Sequence, residues 1–60
     1  MALPKDAILL FSVVNVKLRD FYSSLDALCE DLGEDRKEIE QTLRRAGYVY
    51  NESTNQFEQE

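Results

Sequence analysis

The stretch "LCEDLGEDRKEIE" stops one helix and starts another within a few residues. Gly33 supplies the left-handed position on which a helix ends. Asp35 followed by Glu38 forms a capping box that opens the next. A chain with this punctuation is committed to two helices joined by a short turn. Leu25, Leu28, Cys29 and Leu32 form the apolar stripe of the first, and Ile39, Leu43 and Ala46 face inward on the second, with Thr42 beside them.

The remaining elements follow from the same signals. Ser23 or Ser24 caps the earlier of the two helices, and Ser23 with Asp26 approximates a capping box. Upstream, Pro4 suits a first helical turn and Asp6 complements its positive end. Ala7, Leu10, Phe11, Val14, Leu18, Phe21 and Tyr22 then recur at helical spacing and mark a core face. Gly47 ends the last helix. "YVY" alternates as a strand, "NESTN" has the polar chemistry of a turn, and "QFE" returns. Tyr48, Tyr50 and Phe57 are read as packing residues that close the bottom of the core. The expected architecture is mainly α, a three-helix helix-turn-helix-like bundle with a short wing-like C-terminal β-hairpin. Its helices span about 4–22, 24–32 and 35–46, its hairpin about 48–58, all within one small domain over 1–60.

Sixty residues bury only about 60% of the surface their unfolded chain exposes, which leaves such a domain marginal on its own. One cysteine rules out an internal disulfide, and with no histidine a zinc site has too few donors; neither metal nor cofactor is expected. Cys29 lies on an apolar stripe beside Glu30 and Asp31, so it reads as a small core residue rather than a nucleophile. The free thiol fits a reducing compartment, the cytoplasm. "MALPKDAILLFSVV" fails as a signal peptide, because Asp6 adjoins the apolar run, no small-x-small site follows, and "NVKLRD" continues unbroken. The run also falls short of the roughly 20 residues that span a bilayer.

Helix 1 carries a second apolar stripe opposite the first: Leu9, Val13 and Val16, at i, i+4 and i+7. Either the hairpin or tail folds over it, or it is the seam of a homodimer, which the marginal core favours. Arg19 and Asp20 of "KLRD" point outward with Asn15 nearby, as a solvated end or as a polar rim to that stripe.

The helix order matches the helix-turn-helix plus wing arrangement, in which the third helix enters the major groove. Its outward face holds Lys37, Glu40, Gln41 and Arg44, flanked by Glu38 and Arg45; Arg and Gln can read base edges, so Lys37, Gln41, Arg44 and Arg45 are the candidate DNA contacts. The surroundings oppose DNA. Residues 34–60 hold four basic and seven acidic side chains, the wing has no Lys or Arg, and the whole chain is at −5.

The whole chain also resembles a family of short bacterial proteins catalogued only as a domain of unknown function. "LPKD" at 3–6, "KLRD" at 17–20, "YSSLDALC" at 22–29, "GYVY" at 47–50 and "NQF" at 55–57 carry the resemblance. Members tend to have "NTKLRD" where this chain has "NVKLRD". The resemblance implies a small bacterial cytoplasmic protein and supplies no activity. Without His, a Gly-rich phosphate loop or a Ser/His pairing, an enzyme is not expected, and the acids near the turn lack the alternate spacing of a calcium loop. The first expectation is a protein–protein interaction module that forms a homodimer through Leu9, Val13 and Val16. The alternative is a small DNA-binding regulator.

Overall fold

The computed structural model describes residues 3–60, with the order α1 (Ala7–Asp20), α2 (Leu25–Leu32), α3 (Arg36–Arg45), β1 (Tyr48–Asn51) and β2 (Gln56–Gln59). Each helix begins on a side chain that satisfies its first amides. Asp6 accepts from Ile8 and Leu9 N–H, Ser24 from Ala27 N–H, and Asp35 from Lys37 N–H. α1 therefore starts at Ala7 rather than near residue 4, because Asp6 is the cap itself and not a first-turn residue. Of the two serines, Ser24 is the cap of α2. Gly33, with φ of +68°, closes that helix in the left-handed conformation that a side chain resists.

The core is Leu10, Val14 and Leu18 of α1, Leu25, Leu28 and Cys29 of α2, Ile39 and Leu43 of α3, and Phe57 of β2. Phe57 is among the largest side chains wholly withdrawn from water, so the hairpin is part of the core rather than an appendage. Tyr48 stacks on Phe11 with ring centroids 4.0 Å apart, and Tyr50 tilts against Phe57 at 5.4 Å. Two core expectations are corrected. Phe21 is 73% exposed, because α1 ends at Asp20 and Phe21 leaves the helical path at φ −125°. Ala46 is exposed as well, since it caps α3 instead of continuing its inward stripe.

The junction of α1, α2 and the hairpin turn is wired by one polar chain. Leu25 N–H donates to the Tyr50 hydroxyl at 3.2 Å, and that hydroxyl donates to Asn55 Oδ1 at 2.6 Å. Asn55 Nδ2 then donates to the carbonyls of Leu18 and Tyr22 at 3.1 and 2.9 Å, satisfying oxygens that the end of α1 would leave bare. Asn55 holds φ of +55°, a left-handed position that Asn tolerates better than most residues. The turn also carries an Asx-type bond from Ser53 N–H to Asn51 Oδ1.

Candidate functional site

β1 and β2 pair antiparallel with Tyr48 opposite Gln59, Val49 opposite Glu58, Tyr50 opposite Phe57 and Asn51 opposite Gln56. The outer edge of β2 is taken by α1. Phe57 N–H donates to Asn15 Oδ1 at 2.7 Å, and Asn15 Nδ2 donates to the Phe57 carbonyl at 3.0 Å. Gln56 Nε2 adds a bond to the Asn15 carbonyl at 3.0 Å. One side-chain amide thus completes a strand edge as a third strand would. Asn15, which the sequence places beside a solvated end or a polar rim, is instead the pin between helix and hairpin. Its isolation within the apolar run "VVNV" was the signal available.

The hairpin sits on the Phe11–Asn15 flank of α1 and leaves the opposite flank uncovered. Leu9 is 58% and Val16 43% exposed there, while Val13 is half-buried, so the three stripe residues are not equivalent. Ile8 is 67% exposed but is not part of the stripe, since at 100° per residue it projects close to Asn15. Arg19 and Asp20 form an exposed ion pair at 3.1 Å beyond the stripe's C-terminal end.

The outward face of α3 divides. Lys37, Gln41 and Arg44 line a groove of about 460 Å³ together with Arg36 and Glu40 of α3, Tyr48, Val49 and Tyr50 of β1, and Glu52 and Phe57. Arg45 does not line it. At 100° per residue it projects about 100° from Arg44, toward the Glu38 side. Within the groove Arg36 bonds Glu40, meets Asp26 of α2 at 2.8 Å and Glu52 of the turn at 3.8 Å, and lies 5.5 Å from the centre of the Tyr50 ring. Glu40 first and Asp26 second hold its guanidinium charged, well above its ordinary value. Arg36 is thus a fastener of α2, α3 and the hairpin, and it occupies both carboxylates of the groove. Lys37 and Arg44 are exposed and pair with no carboxylate among the described residues.

Cys29 is buried, and withdrawal from water raises its thiol above the usual value; Arg36 opposes that, while Asp26, Glu34 and Asp35 add to it. The carboxylates acting on it are those three rather than the adjoining Glu30 and Asp31. Among the described residues no group of three His, Cys, Asp or Glu side chains converges as a metal site would need, and no helix is long and apolar enough to cross a membrane.

Fold and surface together define a small, mainly α protein whose helix-turn-helix succession is loose. α2 has eight residues, and among those described no strand lies between α1 and α2 to complete a winged-helix sheet. The chain belongs to the family described as Domain of unknown function (DUF4250), whose model matches residues 4–57. No curated protein and no solved structure matches it.

Proposed function

We propose that the protein is a non-enzymatic protein–protein interaction module that self-associates through the uncovered flank of α1. The exposure of Leu9 and Val16 on the flank opposite the hairpin carries this reading. Large apolar side chains repeated along one helix flank and left in water are a common mark of a contact surface. A second copy is the fitting occupant, because the chain carries twelve acidic residues yet none between Ala7 and Arg19. Two such flanks meet without burying like charges, in an arrangement where one patch serves both subunits. With no histidine in the chain and its single cysteine in the core, no acid–base or nucleophilic pair supports catalysis. The single thiol favours a reducing compartment, the cytoplasm.

Sedimentation equilibrium from low to high micromolar protein tests the reading. The native chain should double in mass with concentration, and Leu9→Asp should remain a monomer with unchanged helical circular dichroism. A native chain that stays monomeric throughout removes the dimer.

A second reading, a small regulator that binds DNA, draws on the convergence of Lys37, Gln41 and Arg44 on one wall. Phosphate contacts supply much of such affinity and make it steeply salt-dependent. Fluorescence anisotropy of random-sequence duplex at low and then moderate salt tests it, and no binding at high micromolar folded protein ends it.

A further inference from the structure

The two edges of the hairpin are not alike, and the β1 edge stands open. Because the N–H and carbonyl of Phe57 turn outward to Asn15, Phe57 and Tyr50 form a non-hydrogen-bonded pair. The ladder bonds then run through Val49 with Glu58 and Asn51 with Gln56, and Glu60 N–H continues the series to the Gly47 carbonyl at 2.8 Å. It follows that the N–H and C=O groups of Tyr48 and Tyr50 point away from β2. Among the described residues no hydrogen bond reaches those four groups. The sequence of β1, "YVYN", carries no proline and no charge, the usual devices that keep another strand off an edge.

The groove described above lies beside this edge, with α3 as its far wall. Its volume of about 460 Å³ is within the range that binds small ligands and suits a short extended peptide. Arg36 occupies Glu40 and Glu52, so the charge left to a ligand is that of Lys37 and Arg44. These two lie seven residues apart on α3, about 10 Å along its axis. Alternate residues of a strand lie about 7 Å apart, a mismatch that two long side chains absorb.

We propose that the β1 edge and the α3 wall form a receptor for an extended acidic peptide segment, which adds as an antiparallel third strand beside β1. Residues opposite Tyr48 and Tyr50 exchange backbone bonds with them, and their side chains fall on the inward face, toward Lys37 and Arg44. Those positions take Glu or Asp, two of them in alternation. Main-chain bonds give the affinity and the pockets for alternate side chains give the selectivity. Duplex DNA fits less well. The edge offers as many donors as acceptors, whereas a phosphate backbone brings acceptors only. This goes beyond self-association and stands whether or not α1 pairs with a second copy, because the two surfaces are separate.

The test is an NMR titration of the full chain with the peptide acetyl-Val-Glu-Val-Glu-Val-amide. Saturable shifts should centre on Tyr48, Val49, Tyr50, Lys37 and Arg44. Lys37→Glu combined with Arg44→Glu, two exposed positions, should weaken binding roughly tenfold or more and favour the corresponding lysine peptide. Methylating the backbone nitrogens of both glutamates should abolish binding, whereas methylating those of the valines should not, since only the glutamate N–H groups face β1. Leu9→Asp should bind the peptide as the native chain does, which separates this proposal from the fate of the dimer. No shifts at millimolar peptide, equal binding of the glutamate-methylated peptide, or shifts confined to the α1 flank would overturn it. So would a short duplex that occupies the groove when the peptide does not.

Discussion

The hairpin has one edge built into the protein and one left out of it. On β2, Asn15 spends both halves of its side-chain amide on a single residue, Phe57, whose ring fills the core. On β1, the outward backbone groups of Tyr48 and Tyr50 form no hydrogen bond with a described residue, although their half-buried rings pack against the core. The two strands are equally long, so length is not the difference. It lies in what α1 supplies: at position 15 a polar side chain that bonds the β2 backbone, and toward β1 only the Phe11 ring, which stacks on Tyr48 and bonds no backbone group. Stability and availability are thus assigned to opposite edges of one two-stranded sheet, which alone would be marginal in water.

The sharpest way to break this contrast is at Phe57. Phe57→Ala should cost about 3–5 kcal/mol, as large truncations in cores do. A sixty-residue domain holds roughly 3–9 kcal/mol in all, so the variant should be largely unfolded by circular dichroism at room temperature. Next is Asn15→Leu, which leaves the Phe57 N–H and carbonyl without partners. Urea denaturation should show a loss of about 2 kcal/mol, whereas Val49→Thr on the opposite strand should stay within about 0.5 kcal/mol. Equal losses at the two sites would erase the distinction between the edges.

Asn55 separates backbone from side chain. Asn55→Gly keeps the left-handed turn but removes the bonds to Leu18, Tyr22 and Tyr50, for about 1–2 kcal/mol. Asn55→Ala should lose about 1 kcal/mol more, because alanine resists φ of +55°.

The smallest effect is at alkaline pH. The Tyr22 hydroxyl donates to Asp31, which raises its pKa above the ordinary 10.0, and burial raises the Cys29 thiol above 9.0. Groups raised on folding stabilise the protein fully below their unfolded values and lose that contribution as pH climbs through the folded ones. The urea midpoint should therefore begin to fall above about pH 9 and fall further above about pH 10, and Tyr22→Phe should remove part of the later decline. A midpoint that rises with pH in that range would contradict the assignment.

Much of the fold was legible because its signals are local. Gly33, Asp35 and Ser24 act on amides and carbonyls within a turn of themselves, and the core stripes follow from helical periodicity. Phe21 shows the limit of periodicity, since the stripe continued past the point where the helix stopped. Asp6 shows the limit of cap reading, because a carboxylate at a helix start serves either as the cap or just inside it. The hairpin's attachment was not legible in the same way. Asn15 and Phe57 are 42 positions apart, and no local rule pairs them. The same holds for the groove: Lys37, Gln41 and Arg44 were visible as one face of α3, but the β1 edge beside them follows only from the register that Asn15 fixes.

Amide hydrogen exchange, followed residue by residue in the free protein, tests the difference between the edges most directly. The Phe57 amide, bound to Asn15, should exchange among the slowest, near the rate set by global unfolding. The Tyr48 and Tyr50 amides should exchange much faster despite their half-buried rings. Comparable protection at all three would mean that β1 already has a partner, and the open edge would be lost.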